Sequence, residues 1–258
     1  MIYSSAFYDH ISSEAVASAK VVVPLVMNLI HPTSVVDVGC ATGAWLRTFL
    51  ELGVPSVLGL DSTEVEQSKL LIPSDRFRHV DLMKPFRLPD PYDLALSLEV
   101  AEHLPGPTAT GFVRSLCQVA PLVLFSAAVP GQGGVQHVNE QWPEYWRRLF
   151  RTKGFRMFDP FRPLLWHDER VASWYRQNMF LFVREDLATA DARFSNLSEV
   201  KDGYGLMLVD ASILFGLRAT LIRLPRLAWM RVSARVERYF PKRVISNDGC
   251  HESGRLAP

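Results

Sequence analysis

Between Ser34 and Val183 the chain alternates short apolar runs with amphipathic stretches, and that alternation predicts most of its elements. SVVDVG, rich in β-branched residues and closed by Gly39, reads as a strand running into a turn. SVLGLD reads as a second strand, FRHVDL as a short third, YDLALSLEV as a fourth after a proline-rich turn, and PLVLFSAAV as a fifth. FRMFDPFR and MFLFVRE read as two closing strands, with a helical turn around Val171 to Gln177 between them. AWLRTFLEL has apolar residues at helical spacing and stops at Gly53; TGFVRSLCQVA and EYWRRLFRTKGF read as further helices, the latter ending near Gly154. The strand runs are apolar throughout rather than alternating, which predicts strands covered on both faces, as in a parallel sheet. Strand alternating with helix then predicts a doubly wound α/β domain.

Outside this region the pattern changes. VVVPLVMNLI (Val21 to Ile30) is too short to span a bilayer and contains Pro24, so it reads as a helix packed on the main domain. It lacks a basic flank and a cleavage site, so no signal peptide is expected. Polarity rises from Asp186 to Gly205, which reads as a linker or loop. The expected organisation is a helical cap over 1–32, a main domain over 33–187, and an extension over 188–258. Within that extension, Ala211 to Val244 holds eight Lys/Arg against the single acid Glu237, a local charge of +7. Trp229, Val232, Val236 and Phe240 share one helical face there, with Arg231, Arg235 and Arg238 roughly opposite. Two readings stay open: an interfacial helix on an anionic membrane, or a homodimerisation or packing helix with a solvated arginine face. The last residues, NDGCHESGRLAP, read as a disordered tail.

Composition narrows the function classes. Hydrophobic residues are 48% and charged residues 21% of the 258, as in a globular domain with a real core. The net charge of +1 argues against a nucleic-acid partner. Cys40, Cys117 and Cys250 are too few and scattered for a disulfide framework, so a reducing cytoplasm is expected.

Chemistry concentrates where strands end. VVDVGCATG (Val35 to Gly43) sits at the first strand-to-helix junction, with Gly39 and Gly43 four apart. Neither a G-x-G-x-x-G dinucleotide fingerprint nor a Gly-Lys-Ser/Thr phosphate loop is present. VVDVGCATG, LGLD, HVDL and YDLALSLEVAEHL, in that order, resemble the class I S-adenosylmethionine-dependent methyltransferases over roughly Ser34 to Glu185. One departure is Ala41, where the family usually has another glycine. The resemblance implies a Rossmann-like seven-stranded sheet, mostly parallel with an antiparallel final strand, and S-adenosylmethionine as cofactor. It implies that Gly39 and Gly43 pass close to the methionine portion and that Asp37 orients the loop or meets the ammonium through water. Asp61 would bridge the ribose hydroxyls, Asp81 would accept from the adenine amino group with Leu82 lining the ring, and Glu99 would reach the cofactor. Asp81 has a second reading, as a loop aspartate capping a turn.

Glu99, Glu102 and His103 in EVAEHL also resemble the E-x-x-E-H of two metal-assisted branches, the ubiquinone-pathway O-methyltransferases and the small-RNA 2′-O-methyltransferases. Two carboxylates and an imidazole could hold a divalent cation. The same motif occurs in metal-free class I enzymes, and no metal is expected here. Past the fifth strand, GQGGVQHVNEQW crowds His137, Asn139, Glu140 and Trp142 behind Gly131, Gly133 and Gly134. In the resembled fold this loop covers the reacting methyl group, placing His137 near His103 and Glu102. His137 is then the expected base, with Asn139, Glu140 and Trp142 orienting the substrate or His137 itself. The alternative is a structural loop in which His137 and Glu140 bond each other while Trp142 and Trp146 fill core. Trp166, His167, Trp174, Tyr175 and Asn178 could wall a substrate, although helical aromatics are more often core. Tyr3, Phe7, Tyr8 and His10 lie where N-terminal helices of the family often cover the cofactor.

The expected activity is methyl transfer to a small molecule or glycan, most naturally at a hydroxyl. Two alternatives are a scaffold subunit that keeps the cofactor pocket, and a same-fold enzyme that uses bound cofactor for a non-methylation step.

Overall fold

In a computed structural model of the chain, residues 5–62 and 65–202 are described, with side chains from residue 13 onward. The basic stretch of 211–244 and the aromatic side chains of Tyr3, Phe7, Tyr8 and His10 lie outside the described residues.

All seven predicted strands form: β1 (Ser34–Val38), β2 (Ser56–Asp61), β3 (Phe77–His79), β4 (Leu94–Leu98), β5 (Leu122–Ser126), β6 (Phe155–Phe158) and β7 (Phe180–Arg184). They make one sheet in the order β3-β2-β1-β4-β5-β7-β6. β1 to β5 pair in parallel, and β7 runs antiparallel to both β5 and β6. The order reverses at β1 and β4, so the crevice for a ligand opens at their carboxyl ends, where the predicted motifs sit. Both faces are covered, which explains the apolar runs: the β4 and β5 residues are buried throughout.

The helices divide between the faces. α1 (Ser5–Ile30) and α2 (Ala44–Glu51) lie on one, with Val22, Val23, Val26, Leu46 and Phe49 in a shared core. By length and composition Ser13–Ile30 is apolar enough to cross a membrane, but its apolar stripe is used against the sheet. α3 (Ala109–Val119) and α4 (Pro143–Arg151) cover the other face. There Phe150 stacks on Phe182 at 3.8 Å and Phe125 meets both edge-on, fixing α4 and hence the loop that precedes it. The alternation is incomplete: among the described residues the β2–β3 connection carries only two short 3₁₀ turns and the β3–β4 connection no helix.

The stretch read as a linker is folded in part. It forms α7 (Glu185–Ala190) and α8 (Ala192–Ser195), following two short helices, α5 (Arg162–Leu165) and α6 (Ser173–Asn178). Ala188 and Phe194 are fully buried, and Arg193 donates to the Ile30 carbonyl at the end of α1. Val200 donates to the Met157 carbonyl, and the Glu199 carboxylate accepts from Arg156 at 2.6 Å, extending the β6 edge. A few buried anchors in a polar stretch hold it to the domain, and a polarity profile averages them away.

Candidate active site

The site begins at the β1–α2 turn. Gly39 and Gly43 adopt φ of 87° and 82°, the left-handed region that a glycine enters without Cβ conflict. A Cβ on Gly39 would overlap Val100, which follows β4, and one on Gly43 would press on Ile72 at 3.0 Å. The glycines therefore let the loop seat on its neighbours as well as turn. Ala41 is also left-handed, at φ 45°, so the departure from the family pattern falls where the backbone favours glycine.

Asp61, at the end of β2, holds this loop. One carboxylate oxygen accepts from Ala41 N at 2.6 Å and the other from Ser62 N at 2.6 Å. A carboxylate has about four acceptor positions, more than these two amides fill. Asp37, one residue before the end of β1, is only 2% exposed, with Oδ2 unpartnered. Burial, and secondarily the charge of Asp61, push its pKa up to about 7. Asp81 behaves as a turn cap: it accepts from Met83 N at 3.0 Å and pairs with Lys84 at 2.9 Å, which holds its carboxyl below the usual range. Leu82 is buried with the α3-side core.

At the end of β4, Glu99 sits at φ 56°, a costly conformation for a non-glycine residue and one that clusters at functional sites. Its amide donates to the Ser126 carbonyl at 3.0 Å and Oγ at 3.1 Å. Its carboxylate accepts from Gln132 at 2.9 Å and Asn178 at 3.2 Å, and Asn178 also donates to Gln132 at 2.8 Å. This network ties the ends of β4 and α6 to the glycine loop after β5. Burial raises the Glu99 pKa, and the amide donors oppose that rise.

The opposite flank is the predicted cluster. Glu102 is fully buried beside the Glu99 carboxyl; burial, then the charge of Glu99, lift its pKa well above the usual carboxylate range. The rings of His103 and His137 meet edge-on with centroids 4.9 Å apart. Burial, then His137, lower the His103 pKa. Glu102, His103 and His137 each offer a donor atom within 4.8 Å of the others. The two loops are pinned by one carbonyl: Val138 N and Asn139 N both donate to Glu102 O, at 2.9 and 3.0 Å.

Glu140 organises the glycine loop. It accepts from Gly131 N and Gly133 N, each at 2.8 Å, and from His137 Nδ1 at 3.0 Å. The carboxylate is acceptor-only, so Nδ1 carries a proton, and in the neutral ring Nε2 is the acceptor. Asn139 is buried and accepts from Gln141, so it shapes the loop. Trp146 is core, packed on Phe125 at 5.2 Å, while Trp142 is half-buried at the start of α4. Of the proposed substrate wall, Tyr175 is core against Trp45, and Asn178 belongs to the Glu99 network. Gln132 was not anticipated; its only signal was a lone amide between Gly131 and Gly133.

Comparison with known proteins agrees with this geometry. A family model for a methyltransferase domain matches residues 10–190. The chain belongs to the class I S-adenosylmethionine-dependent methyltransferases. No curated protein matches it. Among solved structures, the sugar N-methyltransferase KedS8 from Streptoalloteichus sp. ATCC 53650 is similar at 14% identity and TM-score 0.50, over 65% of this chain and 87% of that one. The magnesium protoporphyrin IX methyltransferase ChlM from Synechocystis PCC 6803, with bound SAM, is similar at 19% identity and TM-score 0.47, over 66% and 80%. The methyltransferase domain of a bacterial Hen1, CtHen1-C, is similar at 18% identity and TM-score 0.49, over 65% and 97%. At these identities the likeness concerns the fold.

The methyltransferase's cofactor is S-adenosylmethionine, and the residues at the crevice fit it chemically. Asp37 presents an unpartnered buried oxygen suited to an ammonium, Asp61 places a carboxylate, an acceptor suited to a diol, at the end of β2, and the start of α2 presents free N–H groups. The cofactor supplies a methyl group on a positively charged sulfur. The protein's part is to bind it, align a nucleophile with the S–CH₃ axis and exclude water.

Proposed function

We propose that this methyltransferase transfers the methyl group to a hydroxyl of a small molecule or glycan, with His137 as the proton acceptor. The observation that carries this reading is the His137–Glu140 pair, which leaves Nε2 as a proton acceptor beside His103 and Glu102. Glu140 acts through His137 as a positioning residue, and Asp37, Gly39, Gly43, Asp61 and Glu99 serve the cofactor half. In the reaction the hydroxyl proton passes to Nε2, the oxygen bonds to the methyl carbon, and the S–C bond breaks with its electron pair left on sulfur. The products are an ether and S-adenosylhomocysteine. Val135 and Val138 flank His137 and are 42% and 63% exposed, an apolar rim suited to a carbon skeleton around the hydroxyl.

The test is a substrate screen read by product mass, gain of one methyl group being the signature, followed by His137→Gln. Loss of a positioned general base typically costs about 10²- to 10⁴-fold in rate. The expected result is that loss in kcat with S-adenosylhomocysteine affinity unchanged. Methyl transfer to an amine, with His137→Gln fully active, would refute the hydroxyl reading.

A further inference from the structure

We infer that Gln132 is a positioning residue for the methyl transfer: it ties the loop that carries His137 to the Glu99 carboxylate, so that the base stands in register with the cofactor half of the site. This rests on the reading of His137 as base and Glu99 as part of that half, and adds the part that joins them. The loop after β5 needs such a tie. Gly131, Gly133, Gly134 and Gln136 all take positive φ, a course that is costly to hold unless other groups fix it. Its far end is fixed by the Val138 and Asn139 amides, which donate to the Glu102 carbonyl. Its near end is fixed by the Gln132 side chain.

Gln132 Nε2 donates to Glu99 Oε2 at 2.9 Å, and Gln132 Oε1 accepts from Asn178 Nδ2 at 2.8 Å. Asn178 Nδ2 also donates to Glu99 Oε1 at 3.2 Å, and Asn178 Oδ1 accepts from Gln177 at 2.9 Å. The end of β4, the glycine loop and the end of α6 thus meet in one ring of hydrogen bonds. The ring has a single sense, because a Gln132 amide turned over would set its oxygen against the Glu99 carboxylate. Burial disfavours the ionised form of Glu99, and Asn178, Gln132, Ser126 and Glu102 all act against burial by hydrogen bonding to it.

From Glu99 the tie runs on to the base. The residues on either side of Gln132, Gly131 and Gly133, donate their amides to Glu140 at 2.8 Å each, and Glu140 accepts from His137 Nδ1 at 3.0 Å. A shift of the turn therefore shifts the partner that orients His137. Gln132 touches neither the hydroxyl nor the base; it acts through the loop. A displacement of about 1 Å at a reacting group can cost about 10²-fold in rate, so the tie bears on turnover more than on cofactor binding.

The experiment uses the full chain and the variant Gln132→Glu. A carboxylic acid there copies the amide only while protonated, its O–H donating to Glu99 and its carbonyl accepting from Asn178. Ionised, it sets two carboxylates about 3 Å apart, an arrangement in which one of the pair holds its proton well above the ordinary range. The ratio of variant to parent kcat, on a substrate from the product-mass screen, should be near one at about pH 5.5 and fall about 10²-fold toward about pH 8.5. Affinity for S-adenosylhomocysteine should change far less, and Gln132→Leu should show the low kcat throughout. The unaltered chain gives a readout that needs no substrate: in ¹H–¹⁵N spectra the Gln132 side-chain amide should exchange slowly with solvent. A rapidly exchanging amide, or a ratio that stays at one across the range, would overturn the tie even if the leucine variant failed to fold. Equal losses of kcat and cofactor affinity would overturn it too, by placing Gln132 in the cofactor site. Methyl transfer to an amine with the pH-dependent ratio intact would keep Gln132 as a positioning residue and sink the hydroxyl reading. A flat ratio with kcat lost in His137→Gln would keep the base and sink the tie.

Discussion

Asp37 offers the sharpest physical test of the cofactor half. Its carboxyl, 2% exposed, is lifted from an ordinary 3.8 to about 7, first by burial and then by Asp61. Between those values the folded chain holds a proton at Asp37 that the unfolded chain has released. Stability rises with pH only where the unfolded state binds more protons, so here it falls as pH rises, most steeply between 3.8 and 7 and flat above. From pH 5 to pH 8 this one group removes roughly 2–3 kcal/mol of stability. Asp37→Asn keeps the shape and the neutral form while deleting the titration. Urea unfolding of both proteins across pH 5–8 should show the variant gaining that amount relative to the parent as pH rises, with near agreement at low pH. The cofactor's ammonium favours the ionised carboxylate, so binding of S-adenosylhomocysteine at pH 6 should release close to one proton in the parent and none in Asp37→Asn. Calorimetry in buffers of different ionisation enthalpy reads that proton directly. Parallel stability–pH curves for the two proteins would refute the argument, because they would mean that Asp37 ionises alike folded and unfolded.

Three further outcomes follow from the same geometry. Asp61→Ala strands Ala41 N, at a cost of about 1–3 kcal/mol, and should lower S-adenosylhomocysteine affinity by at least tenfold in calorimetry; unchanged affinity would remove Asp61 from the site. Ala41→Gly relieves a left-handed alanine worth about 1–2 kcal/mol against about 0.4–1 kcal/mol of added unfolded-state entropy, so its urea midpoint should rise slightly rather than fall. Gly134→Ala would drive a Cβ into the His137 ring, so kcat should drop while cofactor affinity holds; equal losses in both would show the loop to be shared with the cofactor site.

The strands were legible because burial on both faces writes itself into sequence as an unbroken apolar run; Leu94–Leu98 and Leu122–Ser126 need no tertiary knowledge to find. The reason for Gly39 was not legible, since what its missing Cβ makes room for is Val100, sixty-one residues further along. The left-handed Glu99 was equally hidden: nothing local in SLEVAEH announces a positive φ, which the Ser126 bonds from the next strand support. The folded segment after β7 was missed for the opposite reason. Its sequence is polar on average, and two side chains, Ala188 and Phe194, are enough to dock it.

The two histidines meet for a reason that spacing alone does not show. In EVAEHL the visible partners are Glu99, Glu102 and His103, and on those residues a metal has no better claim than a helix start. The fold rearranges that set. Two amide donors hold the Glu99 carboxylate, while the Glu102 carbonyl draws Val138 and Asn139 in and brings His137 against His103. Glu99 stays close enough for its charge to lift Glu102, and His137, thirty-four positions from His103 in sequence, joins the group.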